Sequence, residues 1–373
     1  MKIVTGGAGF IGSNIVKQLN NRGIDDILIV DDLTDGRKCR NLQGLSFYDY
    51  MDYEDFDMQM ADDTFNCGYI DVVFHEGACS DTMNYDGRYM MKNNYEGSKN
   101  LLRYCMQRKI PFLYASSAST YGSGKNGFRE EPQCEQALNP YAYSKLQFDR
   151  FVRRVMPLAK SQIVGFRYFN VFGPQENHKD RMASLIFQKY NELQETGKIT
   201  LFAGTAGYED GGQIRDFIYV KDVVNVVFYF WEHPELSGIY NCGTGVGHTF
   251  NEFVQGIIDY CGKGHIEYVP FPEVLKGKYQ SYTQADTQKL MKAGYDRGFT
   301  LLGEAVKEYC SILEKSGEEL LHTDRRLLLR VTKDAQSLVD LHAADDVGHQ
   351  AHLAGRGRAI THNGDSLLLL FSL

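Results

Sequence analysis

The sequence has no apolar stretch that approaches the roughly 18 residues a membrane-spanning helix needs. It also has no run or stripe of lysine and arginine, and its formal charge is −8. These absences argue against a membrane or a nucleic acid as a partner, although a small anionic ligand needs only a local cluster of cations. The 373 residues are 43% hydrophobic and 24% charged, which is enough apolar material for a large globular core.

The eight cysteines occur singly, without the CxxC spacing that is typical of metal and redox sites. The chain starts in an apolar segment, and we expect no signal peptide. We therefore expect reduced thiols in a cytoplasmic protein, and we predict no metal site.

Short apolar runs alternate with helical patterns in the first half of the chain, which predicts a parallel sheet covered by helices. Strands are predicted at 2–5, 27–30, 71–76, 111–116 and 163–168, and helices after the first strand and at 89–108 and 140–155. The pattern then becomes mixed, with a helix expected near 182–195 and a strand over 215–220. The predicted fold class is α/β, a Rossmann-type doubly wound parallel sheet with a smaller α/β substrate-binding domain.

Three regions of the chain are expected to differ in role. A dinucleotide-binding Rossmann domain is predicted over 1–175, with segments around 215–245 returning to it, and residues 176–314 are expected to be mainly substrate-binding. Residues 315–373 contain one aromatic residue, Phe371, but five of the ten histidines. A metal-binding histidine tract or a membrane-seeking LLLLF end would be functional, but the histidines have no regular ligand spacing. A non-catalytic tail, or even out-of-frame translated sequence, is favoured.

The stretch TGGAGFIG, residues 5–12, places Gly6, Gly9 and Gly12 between a predicted strand and a predicted helix. Glycine permits a tight turn and the close approach of a pyrophosphate, while the helix N-terminus supplies free N–H donors. Asp31 follows at the end of the second strand, nineteen residues after Gly12. We predict that this loop binds a dinucleotide.

The loop after the second strand gives opposite predictions for the ribose of that dinucleotide. Asp31 could bind the ribose hydroxyls of NAD, whereas Arg37, Lys38 and Arg40 could neutralise the 2′-phosphate of NADP. The residues leave this choice open.

NPYAYSK, residues 139–145, contains two tyrosines and one lysine. In a helix, Tyr141 and Lys145 lie about 40° apart around the axis, whereas Tyr143 and Lys145 lie about 200° apart. Asn139 as a cap and Pro140 at the first position predict such a helix. Tyr141 is therefore the partner of Lys145.

The same spacing recurs at Tyr95 with Lys99 and at Tyr121 with Lys125. The second of these pairs falls in a glycine-rich loop, where helical spacing has no meaning, and the first has no hydroxyl-bearing strand just ahead of it. YASSAS, residues 114–119, supplies such a strand before NPYAYSK. Context thus favours the pair in NPYAYSK.

A tyrosine with an ordinary pKa near 10 is a poor base at pH 7. An adjacent ammonium and a positive nicotinamide both favour the phenolate, so we expect the pKa of Tyr141 to be lowered. Tyr141 would then accept a hydroxyl proton as hydride leaves for the cofactor, beside the hydroxyl of Ser117.

The chain resembles the extended short-chain dehydrogenase/reductase family, which includes the NAD-dependent epimerases and dehydratases. The matching features are TGGAGFIG, Ser117 with Tyr141 and Lys145, RYFNVFGP, RDFIYVKDV and YNCGTG. Within that family it is most similar to the ADP-heptose 6-epimerases, through FHEGACS, YMMKNNY, ENHK, MAS and YQSYTQAD. The resemblance covers about residues 1–314.

The resemblance implies an isomerase that inverts C6 of an ADP-heptose through a 6-keto intermediate, in the synthesis of lipopolysaccharide core precursors. It implies NADP as the cofactor, a second acid/base at Lys179, and a homo-oligomer, typically of five subunits. The cofactor-binding residues that it implies are Gly6, Gly9, Phe10, Ile11, Gly12, Asp31, Asp32, Lys38, Tyr53, Glu76, Gly77, Ala78, Cys79, Ser80, Asn93, Lys145, Val171 and Lys179. The substrate-binding residues are Ser117, Asn170, Arg181, Gln188, Phe202, Ala203, Gly204, Thr205, Arg215 and Tyr279.

Several positions depart from the family pattern. Asp32 stands where asparagine is usual and Tyr53 where lysine is common, and both changes weaken NADP binding on charge grounds, so NAD stays possible. Arg181 replaces a substrate-contacting serine and Gln188 a histidine. The segment 207–214 is longer than usual.

Three other functions compete with 6-epimerisation. A 4,6-dehydratase would carry Asp-Glu after the catalytic hydroxyl residue, where this chain has Ala118 and Ser119. A nucleotide-sugar 4-epimerase is a closer alternative, and only the sugar-specific stretches argue against it. A non-catalytic nicotinamide-binding regulator would not need Ser117, Tyr141 and Lys145 together.

Overall fold

The computed structural model describes residues 1–205, 207–272 and 280–323, with side chains described as far as residue 316. The strands are β1 Lys2–Thr5, β2 Ile27–Asp31, β3 Asp49–Asp52, β4 Val72–His75, β5 Phe112–Ser117, β6 Ile163–Tyr168, β7 Asn170–Phe172, β8 Ile199–Phe202, β9 Ile214–Arg215, β10 Phe217–Tyr219, β11 Gly238–Cys242, β12 His248–Thr249 and β13 Ile266–Val269. The α-helices are α1 Phe10–Asn21, α2 Cys39–Leu42, α3 Tyr53–Ala61, α4 Gly87–Met90, α5 Ser98–Arg108, α6 Pro140–Val155, α7 Leu185–Thr196, α8 Val220–Glu232, α9 Phe250–Cys261, α10 Gln288–Lys292 and α11 Leu302–Thr323.

Seven strands form one parallel sheet in the order β11-β6-β5-β4-β1-β2-β3. β4 is the central strand, and the winding of the chain reverses between β1 and β4, because β2 and β3 lie on one side of β1 while β5, β6 and β11 lie on the other side of β4. Doubly wound sheets bind their ligands at such a reversal. The predicted Rossmann-type fold is confirmed.

The central strands are buried on both faces, which is why they read as continuous apolar runs rather than alternating ones. Helices α1 and α8 cover one face of the sheet, and α3, α5 and α6 cover the other. The central strands therefore present only their ends to solvent and ligand.

A second group of elements lies beyond the carboxyl ends of β6 and β7. Helices α7, α9 and α11 share a hydrophobic core there, beside the pairs β8 with β13 and β9 with β12. Between these elements the chain returns to the main sheet, where β11 pairs with β6.

Two predicted elements are interrupted, each by a polar side chain that bonds elsewhere. The helix predicted over 89–108 contains a π-helical segment, Met91–Gly97, in which Asn94 accepts from the Cys79 N–H at 2.8 Å and donates to the Cys79 carbonyl at 2.9 Å. The strand predicted over 215–220 breaks at Asp216, whose carboxylate accepts the N–H groups of Thr244, Gly245 and Ala285. Local periodicity does not reveal such long-range bonds.

The eight cysteines all lie in the described residues, and all are free thiols. Among the described helices, none is both long enough and apolar enough to cross a membrane. Tyr279 and residues 324–373 lie outside the described part of the chain.

Candidate active site

A cavity of about 820 Å³ lies at the carboxyl ends of the central strands. It is bounded by the loop before α1, by the loop after β4, by the start of α6 and by a segment around residues 178–182. The sequence-predicted cofactor residues that line it are Gly6, Gly9, Phe10, Ile11, Gly12, Asp31, Lys38, Glu76, Gly77, Ala78, Cys79, Ser80, Lys145, Val171 and Lys179.

The glycine loop has the shape that a dinucleotide pyrophosphate requires. A Cβ atom on Gly12 would lie 2.1 Å from the carbonyl oxygen of Gly6, and one on Gly6 would lie 2.7 Å from the backbone nitrogen of Gly77. Gly9 precedes α1 without a side-chain cap, and no acidic residue occupies the first turn of this helix. The N-terminus of α1 therefore turns uncapped N–H donors towards the cavity, which fits a diphosphate.

The carboxylate of Asp31 organises the loops around the dinucleotide site. It accepts the N–H of Ala8 at 2.8 Å and the ammonium of Lys38 at 2.9 Å. Arg37 is ion-paired with Asp35 at 2.8 Å and with Asp180 at 2.5 Å. Arg37 and Lys38 thus already have carboxylate partners.

Three sequence-predicted cofactor residues do not line the cavity within the described chain: Asp32, Tyr53 and Asn93. Asp32 is exposed, and its carboxylate accepts the N–H of Thr34 at 2.8 Å. Tyr53 starts α3, and burial raises its pKa to about 12. Asn93 lies in the π-helical segment.

The catalytic residues predicted on α6 and β5 come together in the cavity. The Asn139 side chain caps α6 by accepting the N–H of Ala142 at 2.8 Å, and Tyr141 and Lys145 follow on one face. Ser117 ends β5 and lines the same cavity, where these three side chains are all buried. The Lys145 ammonium donates to the carbonyl of Ala115 at 2.9 Å.

The rival tyrosine–lysine pairs do not line this cavity in the part of the chain that the structure describes. Tyr121 is buried and donates to the side chain of Asn241 at 2.6 Å. Lys99 lies 4.6 Å from the ring centre of Tyr95 and is ion-paired with Glu96.

The expected lowering of the Tyr141 pKa is wrong for the protein alone. Burial raises the pKa of Tyr141, the hydroxyl of Ser117 lowers it in part, and Cys79 raises it further. The ammonium of Lys145 is directed to a backbone carbonyl instead. Any lowering of this pKa therefore has to come from a charge that arrives with a ligand.

The buried carboxyl group of Glu76 lines the same cavity, near Lys145. Glu76 accepts a hydrogen bond from the hydroxyl of Tyr168 at 2.9 Å, and its other carboxylate oxygen is buried without a partner among the described residues. Burial raises the pKa of Glu76 to about 7, although Tyr168 and Lys145 both act to lower it. Burial thus makes Glu76 a weaker acid than an ordinary glutamate.

Lys179 reaches the cavity from the side of the glycine loop. Its ammonium lies 5.2 Å from the ring centre of Phe10, the first residue of α1. Burial lowers the pKa of Lys179, and Glu176 acts in the opposite direction. Lys179 is therefore partly buried, whereas its sequence context suggests an ordinary surface lysine.

The predicted substrate residues divide into two groups. Ser117, Asn170, Arg181 and Arg215 line the cavity. In the described structure Gln188, Phe202, Ala203, Gly204 and Thr205 do not line it, and Tyr279 lies outside the described residues.

The residues outside the cavity are engaged elsewhere. The Gln188 amide donates to the carbonyls of Ala183 at 2.6 Å and Arg181 at 3.2 Å. Phe202 packs edge-on against Phe271, with ring centres 5.4 Å apart. The replacements at 181 and 188 therefore serve local bonds, since Arg181 is also ion-paired with Asp81 at 2.9 Å.

Several cavity residues were not predicted individually from the sequence, among them Tyr168, His178, Phe217 and Phe250. Tyr168 ends β6, so the rule that parallel strands present their carboxyl ends to the ligand could have found it. Phe250 starts α9, far along the chain, and its ring centre lies 5.4 Å from the guanidinium of Arg215. No local signal marks it.

The fold and the cavity define a dinucleotide-dependent enzyme with a serine–tyrosine–lysine group beside the cofactor loop. Residues 2–243 match the NAD dependent epimerase/dehydratase family. The chain belongs to this family.

Relatives with known names extend this match. The chain is 51% identical over 323 residues, 86% of its length, to the whole of an ADP-L-glycero-D-manno-heptose-6-epimerase from Brachyspira hyodysenteriae. The crystal structure of the Helicobacter pylori ADP-L-glycero-D-manno-heptose-6-epimerase superposes with a TM-score of 0.72 at 28% identity, covering 84% of this chain and 96% of that one. A Thermus thermophilus UDP-glucose 4-epimerase in complex with NAD gives 0.65 at 27% identity, covering 83% and 98%. The predicted family resemblance is confirmed.

Proposed function

We propose that this protein is an isomerase that interconverts ADP-D-glycero-β-D-manno-heptose and ADP-L-glycero-β-D-manno-heptose by inverting C6. The glycine loop and Lys145 would hold a nicotinamide dinucleotide in the cavity, and that cofactor would supply reversible hydride transfer at C6, with a 6-keto sugar between the two epimers. The reaction therefore consumes no external oxidant or reductant.

The observation that carries this proposal is that two proton-transfer groups enter one cavity from different elements. Tyr141 enters from α6, and Lys179 enters from the segment beside the glycine loop. Inversion requires a proton to leave and rejoin the C6 oxygen while the sugar presents first one face and then the other to the cofactor. Tyr141 is proposed to serve one orientation and Lys179 the other.

Ser117 and Lys145 are proposed to support Tyr141. The Ser117 hydroxyl faces the phenol and can hydrogen-bond the C6 oxygen. Lys145 lies one helical turn after Tyr141 and lines the cavity where a cofactor ribose would lie. Both side chains are fixed by regular elements, β5 and α6, which favours a constant geometry.

Arg215 is proposed to bind the diphosphate of the substrate. Its guanidinium is buried at the cavity wall against Phe250, and a planar guanidinium can contact two phosphate oxygens at once. Asn170, which also lines the cavity, is proposed to contact the sugar.

NADP is proposed as the cofactor on the strength of the family resemblance, with a small preference over NAD. Two of the three cations in the loop after β2, Arg37 and Lys38, are engaged by carboxylates. A 2′-phosphate would have to compete with Asp180 for Arg37 and would lie near the exposed carboxylate of Asp32. We expect NADP to bind less than about tenfold more tightly than NAD.

The remaining features are proposed from the same resemblance. They are a homo-oligomeric, cytoplasmic enzyme, a role in supplying lipopolysaccharide core precursors, and a non-catalytic tail over 315–373.

The purified protein, loaded with cofactor, is to be incubated with ADP-D-glycero-β-D-manno-heptose while C6 configuration is followed by NMR. We expect an equilibrium mixture of both C6 epimers, and no reaction at C4 of UDP-glucose under the same conditions. Cofactor-loaded protein that leaves C6 unchanged would refute the proposal.

A further inference from the structure

A cluster of four charged residues lies directly behind the catalytic elements. We call Glu135, Asp149, Arg153 and Arg167 the buried charge cluster. Arg167 is 2.6 Å from Glu135 and 2.8 Å from Asp149, and these three side chains are fully buried. Arg153 is partly exposed and lies 2.5 Å from Glu135.

Asp149 is the member of this cluster that contacts the catalytic elements. It lies one helical turn after Lys145 on α6. Its carboxylate accepts hydrogen bonds from Tyr114 and Ser116 on β5, each at 2.9 Å, and from the Nε of Arg167 on β6, also at 2.9 Å. One carboxylate thus joins three elements.

Each of those three elements also carries at least one residue that lines the cavity. Ser117 follows Ser116 on β5, and Tyr168 follows Arg167 on β6. Tyr141 and Lys145 precede Asp149 on α6. A shift of α6 relative to β5 would therefore have to break a bond to Asp149.

Burial of charges is a poor way to gain stability, because the loss of hydration offsets much of the mutual attraction. An apolar core at this position would hold α6 against the sheet but would not fix its rotation or height. Directional bonds from one carboxylate to two strands do fix both. The cluster is thus better explained by geometry than by stability.

We propose that Asp149 is a positioning residue for the reaction, because it locks α6 to the ends of β5 and β6 and places its negative charge behind the ammonium of Lys145. This inference deepens the proposed function and rests on it for its effect on turnover.

The titratable groups that face Lys145 come from several elements. Glu76 and Cys79 face it from the loop after β4, and Asp149 from its own helix. His75 on β4 is neutral near pH 7, since burial lowers its pKa to about 3. Burial lowers the pKa of Lys145 to about 8, while Glu76 and then Asp149 act to raise it.

The sign of the effect follows from these charges. Removing the negative charge of Asp149 removes a group that raises the pKa of Lys145, so this pKa must fall further below about 8. The ammonium form is then lost at a lower pH. Activity that depends on this ammonium should decline at a lower pH on the alkaline side.

Asp149→Asn is compared with Glu135→Gln in the cofactor-loaded enzyme. Both substitutions leave Arg167 with one carboxylate partner, but Glu135 has no described bond to β5. The pKa of Lys145 is measured by competitive acetylation across pH with mass spectrometry, which needs no substrate, and kcat is measured for the epimerisation.

We expect Asp149→Asn to lower the pKa of Lys145 by about one unit and kcat by about 10- to 100-fold. Glu135→Gln should leave the pKa of Lys145 unchanged and kcat within about threefold, at a similar loss of melting temperature. Equal effects of the two variants on the pKa and on kcat would overturn the proposal, because the cluster would then be only structural.

Ser116→Ala keeps the proposal testable if Asp149→Asn does not fold. It removes one bond to Asp149 but no charge, so kcat should fall about fivefold or more while the pKa of Lys145 stays constant. An unchanged kcat would overturn the positioning role. A wild-type enzyme without 6-epimerase activity would instead refute the proposed function, and the acetylation measurement would still test the charge effect of Asp149.

Discussion

Tyr141 is the residue on which the proposed chemistry depends most. Burial raises the pKa of its phenol above the ordinary value, so the protein alone holds it protonated at neutral pH. An oxidised nicotinamide bound in the same cavity would bring a positive charge that favours the phenolate. At neutral pH the phenolate of Tyr141 should therefore form only when the cofactor is present.

Replacing Tyr141 with phenylalanine tests this role. The ring stays in place but the proton acceptor is lost, so we expect turnover to fall at least about 100-fold. The dissociation constant of the dinucleotide, measured by titration calorimetry, should change less than about threefold. Full turnover in this variant would place the base elsewhere.

Asp32 is expected to affect the choice between NADP and NAD. Its carboxylate is exposed beside Thr34, and a unit charge near a 2′-phosphate costs about 1 kcal/mol in water. Asp32→Asn should therefore strengthen NADP binding about fivefold and leave NAD binding nearly constant. Asp25→Asn, an exposed change outside the cavity, is the control. An equal effect on both dinucleotides would contradict a repulsion specific to the phosphate.

The site residues that the sequence could predict are those with a local signature. Gly6, Gly9 and Gly12 share one turn, and Tyr141 with Lys145 share one helix face, so spacing alone places them together. The partners of Arg181 and Gln188 depend on Asp81 and on backbone carbonyls that only the fold brings near. The same holds for the raised pKa of Tyr141, which reflects burial.

At the scale of elements, the junction of β1 and α1 is the most constrained. A Cβ atom on Gly12 would lie only 2.1 Å from the carbonyl oxygen of Gly6. The first turn of α1 can approach a diphosphate only because this contact is between backbones.

Gly12→Ala should move α1 away from the loop. We expect dinucleotide affinity to fall at least about 100-fold and the free energy of unfolding to fall by about 2–4 kcal/mol. Calorimetric titration and denaturant unfolding measure the two effects. Gly303→Ala on α11 is the matched control, since no atom lies within 4 Å of its added carbon. Normal affinity in Gly12→Ala would contradict the close-approach argument.

Strands β2, β4 and β6 could be predicted from the sequence because they are buried on both faces and are therefore continuously apolar. β3 is short and polar, DYMD, and gives no such pattern. The π-helical segment Met91–Gly97 and the break at Asp216 arise from bonds to distant backbone groups. Those bonds exist only after the chain has folded.

At the scale of the whole molecule, the cavity lies where the main sheet meets the group of elements around α7 and α9. The main sheet contributes the glycine loop, Ser117 and α6, and the other group contributes Leu185 and Phe250. Neither part lines the cavity alone, so the enzyme should require both.

The tail is predicted to be dispensable. The whole of the Brachyspira hyodysenteriae relative aligns with only 86% of this chain. A variant that stops after Thr323, where α11 ends, removes most of the tail predicted over 315–373 and should keep kcat within about twofold and its melting temperature within a few degrees. Loss of soluble, active protein on this truncation would assign the tail a structural role.

The most direct measurement uses ADP-D-glycero-β-D-manno-heptose deuterated at C6, converted by the enzyme in ordinary water. Removal and return of one hydride within the cavity predicts a product inverted at C6 that keeps its deuterium. An inverted product that carries protium from water at C6 would contradict the account.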